Sequence, residues 1–321
     1  MLDRSSSNPL VLAPVLVLLQ GVFYGLGDAI SKPAFAVMPI YSLLAIRYLL
    51  ALGLLLVFAG KRVRAGLRQC SPRDWLAPAL CIAAAHLTGN AALEYTTATS
   101  TAFLRSLSTV MTPLLALVLF RRRFGWKHVP IQLLAIGGLY LLCGRGGLSG
   151  FGAGEALALL TALLLALSLV LGQSALGKMD AVTLSTVQCG MSALMGTVCA
   201  LTLNGGFHTE RLTGPVLGVI VYLAVACTIG GYLLQNLALE RISDRTVALL
   251  QCFCPVMTAL FSRFILSERL SAAGVAGALL LLLCVAGETL LRDEAAPMAL
   301  APSEPDPAKP DPRNEVNNRK D

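Results

Sequence analysis

Along residues 10 to 291, apolar runs of about 20 residues follow one another, separated by short polar stretches. At 1.5 Å rise per residue such a run is about 30 Å long as a helix, the thickness of a bilayer's hydrocarbon core. The pattern predicts ten helices, at roughly 10–31, 40–59, 75–95, 99–120, 128–144, 153–172, 181–203, 215–236, 245–266 and 271–291. The expected breaks are Lys32 with Pro33 and Pro39, the charged run Lys61 to Asp74, the Gly-rich Gly144 to Gly154, Asn204 to Gly206, and Ser267 to Ser271. Beyond Arg292 the chain is rich in Pro, Asp, Glu, Lys and Asn and lacks the hydrophobes to fold, so a disordered tail is expected.

The pattern also repeats. Tyr232 to Leu270 echoes His86 to Phe124 at an offset of 146 residues, with Asn90, Ala92, Leu93, Glu94, Ala102, Leu104, Val110, Met111, Thr112, Leu114 and Arg123 meeting identical residues. The matches include Asn, Glu and Arg, which shared apolar composition alone does not supply. The chain therefore reads as a duplicated unit. The expected divisions are an N-terminus over 1–9, a first five-helix repeat over 10–144, a Gly-rich linker over 145–152, a second repeat over 153–291 and the tail over 292–321.

Composition excludes a soluble fold: 56% of residues are hydrophobic and 13% charged, too few charges to clothe 321 residues in water. The net charge of +7 does not point to nucleic acid, because the basic residues sit in short loops between apolar segments. Counted over alternate loops, fourteen Lys and Arg lie on one side and four on the other, namely Lys32, Arg145, Arg211 and Arg269. The positive-inside rule then puts both termini in the cytoplasm, and the expected location is the cell's inner (plasma) membrane. Ten spans split five and five, and an odd number per repeat inverts one half relative to the other. The expected fold is an all-α polytopic membrane protein of ten transmembrane helices in two inverted five-helix repeats. Arg4, an apolar run and small Ala34 and Ala36 imitate a signal peptide, but the run is too long and Asp28 and Lys32 precede the supposed cut.

Polar residues inside apolar helices are expensive unless they face protein or a watery cavity, so they are the candidates for function. Spacing of four sets three stripes: Gln20, Tyr24 and Asp28 on the first helix; His86, Asn90 and Glu94 on the third; Tyr232, Asn236 and Glu240 on the eighth. Inverted, the last two would form half-pathways meeting near the bilayer centre, or else interhelical hydrogen bonds that hold the bundle. Arg47 lies at a depth where it can pair with Asp28, and the alternative for Asp28 is to carry a coupling proton. Arg105 has three readings: a partner for Glu94, a receptor for an anionic substrate group, or a side chain snorkelling to the outer surface. Gln251 occupies its place in the second repeat. The candidate substrate pathway is thus Gln20, Tyr24, Asp28, Arg47, His86, Asn90, Arg105, Tyr232, Asn236 and Gln251.

Other motifs carry less. Gly172 to Lys178 fits a phosphate loop only until Met179 stands where Ser or Thr is needed, and no strand precedes it. Gly21 with Gly25, and Gly214 with Gly218, have the spacing of close helix packing within one chain. The nine cysteines lie almost all in apolar segments, Cys70 apart, and read as small buried hydrophobes. Cys252 and Cys254 point to different sides of a helix, which argues against a shared metal. No metal or cofactor is expected.

Over nearly all of residues 10 to 291 the chain resembles the EamA type of the drug/metabolite transporter superfamily, on LLAIRYLLA around Arg47, NAALEYTTATSTAFL, the Pro113 region and NLALERISDRTVALLQCFCPVMTALFSRFILSERL. It departs from that pattern at Arg121, Arg122 and Arg123, which stand where the second half has Ser267, Glu268 and Arg269, and at Gln20, where Trp is common. The resemblance implies two five-helix repeats and export or exchange of small metabolites. The expected function is a secondary transporter of small polar metabolites such as amino acids, working by alternating access, with substrate and bilayer as partners, a coupling proton as a further candidate, and no nucleic acid. The rivals are an intramembrane enzyme, for which no Gly-x-Ser-x-Gly elbow or His/Glu metal set appears, and a non-transporting adaptor or sensor docking through its tail.

Overall fold

The computed structural model describes residues 9–96, 101, 104–121, 129–143, 152–265 and 271–290. The expected linker over 145–152 lies almost wholly outside them, as do the tail and the first eight residues. All regular structure among the described residues is helical, in a short 3-10 turn (Thr209–Arg211) and ten longer segments: α1 (Pro9–Val37), α2 (Ile40–Gln69), α3 (Pro72–Tyr95), α4 (Leu104–Phe120), α5 (Val129–Cys143), α6 (Ala153–Leu176), α7 (Ala181–Leu203), α8 (Gly214–Leu239), α9 (Asp244–Ile265) and α10 (Ala272–Leu290). Six of these, α1, α2, α6, α7, α8 and α9, are long and apolar enough to cross a membrane; α4, α5 and α10 are shorter apolar helices. This is a multi-pass membrane protein, and exposed Val57, Phe58, Val118, Phe264 and Leu283 give it the apolar exterior that lipid requires.

The helix ends follow local chemistry. Lys32 and Pro33 do not end α1, which runs on to Val37; the stop comes at Pro39, whose fixed φ of −56° starts α2 in extended backbone. Downstream, α2 passes ten residues beyond the expected end at 59, because Lys61, Arg62, Arg64 and Arg68 are good helix formers and cations suit a helix C-terminus. Ser71 and Asp74 cap α3 reciprocally, and Asp180 caps α7 by accepting from the Thr183 amide at 3.1 Å.

Two helices break at matching places. In α4 the ladder is interrupted by a turn at Leu107, and in α9 at Gln251 and Cys252, near the position 146 residues on. A third irregularity is the π-helical Leu223–Gly230 inside α8, where the Thr228 hydroxyl bonds the Leu223 carbonyl at 3.0 Å.

The halves interlock rather than sit side by side. α2 packs on α7, α4 on α9 and α5 on α10, each helix meeting its own counterpart. Most of the remaining large contacts come in exchanged pairs: α3 with α6 and α8 with α1; α1 with α9 and α6 with α4; α3 with α7 and α8 with α2; the packing of α8 on α7 has only a slight counterpart between α3 and α2. Small residues permit the close approaches, since apolar side chains gain little by leaving lipid for each other. A Cβ on Gly25 would lie 2.5 Å from the Met257 Cβ, and one on Gly277 would lie 2.6 Å from the Gly138 carbonyl oxygen. Gly21 and Gly25 thus seat α1 on α9, as their spacing predicts. Gly214 and Gly218 have open space where a Cβ would be, so that pair packs on no other helix among the described residues.

Candidate functional site

Each side chain of the α1 stripe points at the second half. Gln20, fully buried, donates through Nε2 to the Gly231 carbonyl at 3.1 Å and to Gln235 Oε1 at 3.2 Å. Gln251, at the α9 break, donates through its side-chain Nε2 to the same Gln235 oxygen at 2.9 Å and to Gln20 Oε1 at 3.3 Å. Three amides from α1, α8 and α9 thus form one network. One turn along α1, Tyr24 packs on Gly231, where a Cβ would stand 2.6 Å from its hydroxyl.

Asp28 ends the stripe, and its partner is Arg105, not Arg47. Asp28 Oδ2 accepts from Arg105 Nη2 at 3.4 Å and from the Thr258 hydroxyl at 3.1 Å. Arg105 sits beside the α4 break and its side chain turns inward to α1, so surface snorkelling does not describe it. The two side chains keep 39% and 37% of their accessible surface.

Arg47 lies instead against the π turn of α8. Its Nε donates to the Thr228 hydroxyl at 2.8 Å, and its guanidinium carbon stands 5.1 Å from the centre of the Tyr48 ring. Tyr24, Tyr232 and Cys227 are its other electrostatic neighbours. Among the described residues no carboxylate lies within ion-pair reach of it. The π geometry explains this seat, because it turns the Thr228 hydroxyl to bridge the Leu223 carbonyl and the guanidinium.

The α3 and α8 stripes meet at His86, whose ring is 6.0 Å from Tyr48 and 5.8 Å from Tyr232, with its Nε2 buried and without a hydrogen-bond partner. Asn90 donates to its own helix, to the His86 carbonyl at 2.6 Å. Tyr232 and Asn236 share a face as their spacing predicts, but that face meets α7: Tyr232 bonds Ser192 at 3.1 Å, and fully buried Asn236 donates to Ser185 and Gln188 at 2.9 and 2.8 Å. Glu240 caps the α7 N-terminus by accepting from the Ala181 amide at 2.8 Å. Of the two readings of Asn236, pathway lining and interhelical bonding, its contacts here are of the second kind, and its neighbour Gln235 joins the amide network with Gln20 and Gln251. The Glu94 side chain lies outside the described residues.

The sequence reading passed over Gln235, Thr228, Thr258 and Tyr48. Gln235 carried a signal, a second amide in an apolar helix; Thr258 carried one as the repeat counterpart of Thr112. Thr228 and Tyr48 gain their places only through the π turn and the α2 packing. Among the described residues no three His, Cys, Asp or Glu converge as a metal site, and Gly172 and Gln173 lie inside α6, leaving no loop to cradle phosphate.

This arrangement of interlocked halves can be set beside known proteins. The sequence matches the EamA-like transporter family twice, over residues 11–144 and 152–287. The chain belongs to the EamA-like transporter family. Two relatives, both named as uncharacterized transporters of Archaeoglobus fulgidus, share 27% identity over 183 residues and 26% over 193 residues. Those alignments take in 56% and 60% of this chain and only 62% and 61% of the relatives. A crystal structure superposes with a TM-score of 0.73 at 18% identity, covering 87% of this chain and 96% of that one, a likeness of fold. The family's two matched stretches each contain one broken helix, α4 or α9, and the polar cluster lies where these face α1 and α8.

Proposed function

We propose that this EamA-like protein is a secondary transporter that carries small polar metabolites across the cell's inner membrane by alternating access, with the substrate held between the two halves. The observation that carries this reading is the cluster of Gln20, Asp28, Arg105, Gln235 and Gln251 at the paired helix breaks of α4 and α9. Broken helices free backbone and side-chain polarity at mid-membrane, which is where transporters bind cargo. Exchange of the halves maps the large helix pairings onto one another, as two repeats of inverted orientation require. On this reading there are ten spans, both termini are cytoplasmic, and the units are 10–144 and 153–291. Rocking of one unit against the other opens the cluster to each side in turn.

Of the ten residues expected to line the pathway, Gln20, Tyr24, Asp28, Arg47, His86, Arg105 and Gln251 face this centre together with Gln235 and Thr258. Tyr232 closes it on the α7 side. Asn90 and Asn236 support the helices around it. Flux in proteoliposomes tests the reading: purified protein should give saturable uptake of at least one member of a panel of small metabolites, reduced in a Gln20→Leu, Gln251→Leu double variant that still folds. A panel of amino acids, organic acids, amines and sugars that enters no faster than into protein-free vesicles would leave the adaptor or enzyme reading in its place.

A further inference from the structure

Among the described residues the charges at the centre do not balance. Asp28 is shared between Arg105 and Thr258, and Arg47, in the same polar region, has a threonine hydroxyl, aromatic rings and the Cys227 thiol for company among the described residues, with no carboxylate. Asp28, Arg47 and Arg105 together leave one positive charge without its own carboxylate. A guanidinium held within a membrane helix is costly unless something answers it, and its Nε is already committed to Thr228 while both Nη amines remain to receive a ligand. Two parallel N–H donors match the two oxygens of an oxyanion. His86 stands within electrostatic range of both Arg47 and Arg105, with no hydrogen-bond partner for its buried Nε2 among the described residues. An ammonium group brought here would meet two guanidinium groups and one carboxylate that both Arg105 and Thr258 already use.

Building on the transporter reading, we infer that Arg47 receives the head group of the cargo and that the cargo is a small organic monoanion, a carboxylate or sulfonate on a compact apolar body, in preference to a zwitterion or a cation. Tyr24 offers the surface against which that body rests, and the buried Tyr48 and Tyr232 rings lie behind Arg47. One unmatched positive charge sets the preference for one negative charge, because a second would be stranded in a poorly hydrated site. The cargo anion neutralises Arg47 while the halves rock, so the charge enters the occluded state paired.

The test uses benzenesulfonate and methanesulfonate, which stay ionised and cross lipid poorly, beside phenylalanine as zwitterion and benzylamine as cation. Binding is read as thermal stabilisation of the purified full chain, and flux is read in proteoliposomes under an imposed membrane potential. At least one sulfonate is expected to stabilise the protein and to enter saturably. Arg47→Gln should weaken both readouts about ten-fold or more, the equivalent of losing one charge-assisted contact, while Arg47→Lys retains part of each. Should Arg47→Gln fail to fold, the comparison rests on Arg47→Lys, which keeps the charge and loses the planar fork. Selective binding or transport of phenylalanine or benzylamine, with both sulfonates inert, would overturn the inference and leave the transporter reading intact. Sulfonate binding that depends on Arg47 without flux would do the reverse. Sulfonate binding equal in wild type and Arg47 variants would remove Arg47 from the role.

Discussion

Asp28 shows how a single residue's meaning depends on which partner the fold delivers. Either Arg47 or Arg105 could balance it by depth alone, and the break in α4 decides for Arg105. A double-mutant cycle checks this. Asp28→Asn and Arg105→Gln should each lower thermal stability in detergent, and the pair together should cost less than the sum, with a coupling of about 1 kcal/mol, modest because both side chains are partly exposed. Combining Asp28→Asn with Arg47→Gln should instead be close to additive. Coupling of the opposite pattern would mean that the carboxylate answers Arg47. At this scale the sequence supplied the residue types, since ionisable groups in apolar helices stand out, but not the pairing, because side-chain reach spans more than one turn.

Among the elements, the glycine pairs of α1 and α8 look alike in sequence and differ in use. Gly25→Ala pushes a methyl group into the Met257 side chain and the backbone of α9, and should cost about 1–3 kcal/mol. Gly218→Ala meets nothing and should be neutral or stabilising by up to about 1 kcal/mol, since alanine loses less entropy in a helix. Thermal unfolding of the two variants in one detergent reads the contrast, and equal losses would refute the assigned packing. The loop between α7 and α8 offers a pH test outside the membrane. His208 holds the Asn204 carbonyl at 2.7 Å and Glu210 at 3.0 Å, and these two contacts, in that order, raise its pKa above the ordinary imidazole value. Glu210 is lowered by backbone hydrogen bonding and by His208. A raised His pKa contributes stability that is complete below the unfolded value and lost as pH rises through the folded one; a lowered Glu pKa contributes stability lost as pH falls. The pair should therefore help most at about pH 5–6, between the two ordinary values. The melting-temperature gap between wild type and His208→Gln should be widest there and shrink toward pH 8; a gap unchanged over that range would show that the imidazolium is not what holds the loop.

For the whole molecule, the fourteen-to-four division of basic loop residues places both termini in the cytoplasm on the proposed reading. Reporter fusions after Ser149 and after Asp321 should then report opposite compartments, and agreement between them would contradict the proposed ten spans. What the sequence determined by itself was the solvent, the helical class and the duplication. Those are carried by the mean hydropathy of +0.72, by apolar runs matched to the bilayer and by polar identities at a fixed offset, all of them local or periodic properties. Even there the ends of α1 and α2 drifted, because Pro33 and the Lys61 to Arg68 run read as loop while helical geometry tolerated both. The tertiary structure alone decided the face each stripe presents. Tyr232 and Asn236 lie one turn apart on α8 wherever that helix goes, but whether the face meets α7 or the centre depends on helix rotation. The packing of α7 against α8 sets that rotation, and no spacing rule within one helix contains it. The π turn that seats Thr228 under Arg47 has the same origin: an extra residue per turn shifts the phase of everything after it, and a count by four from the sequence cannot register that shift.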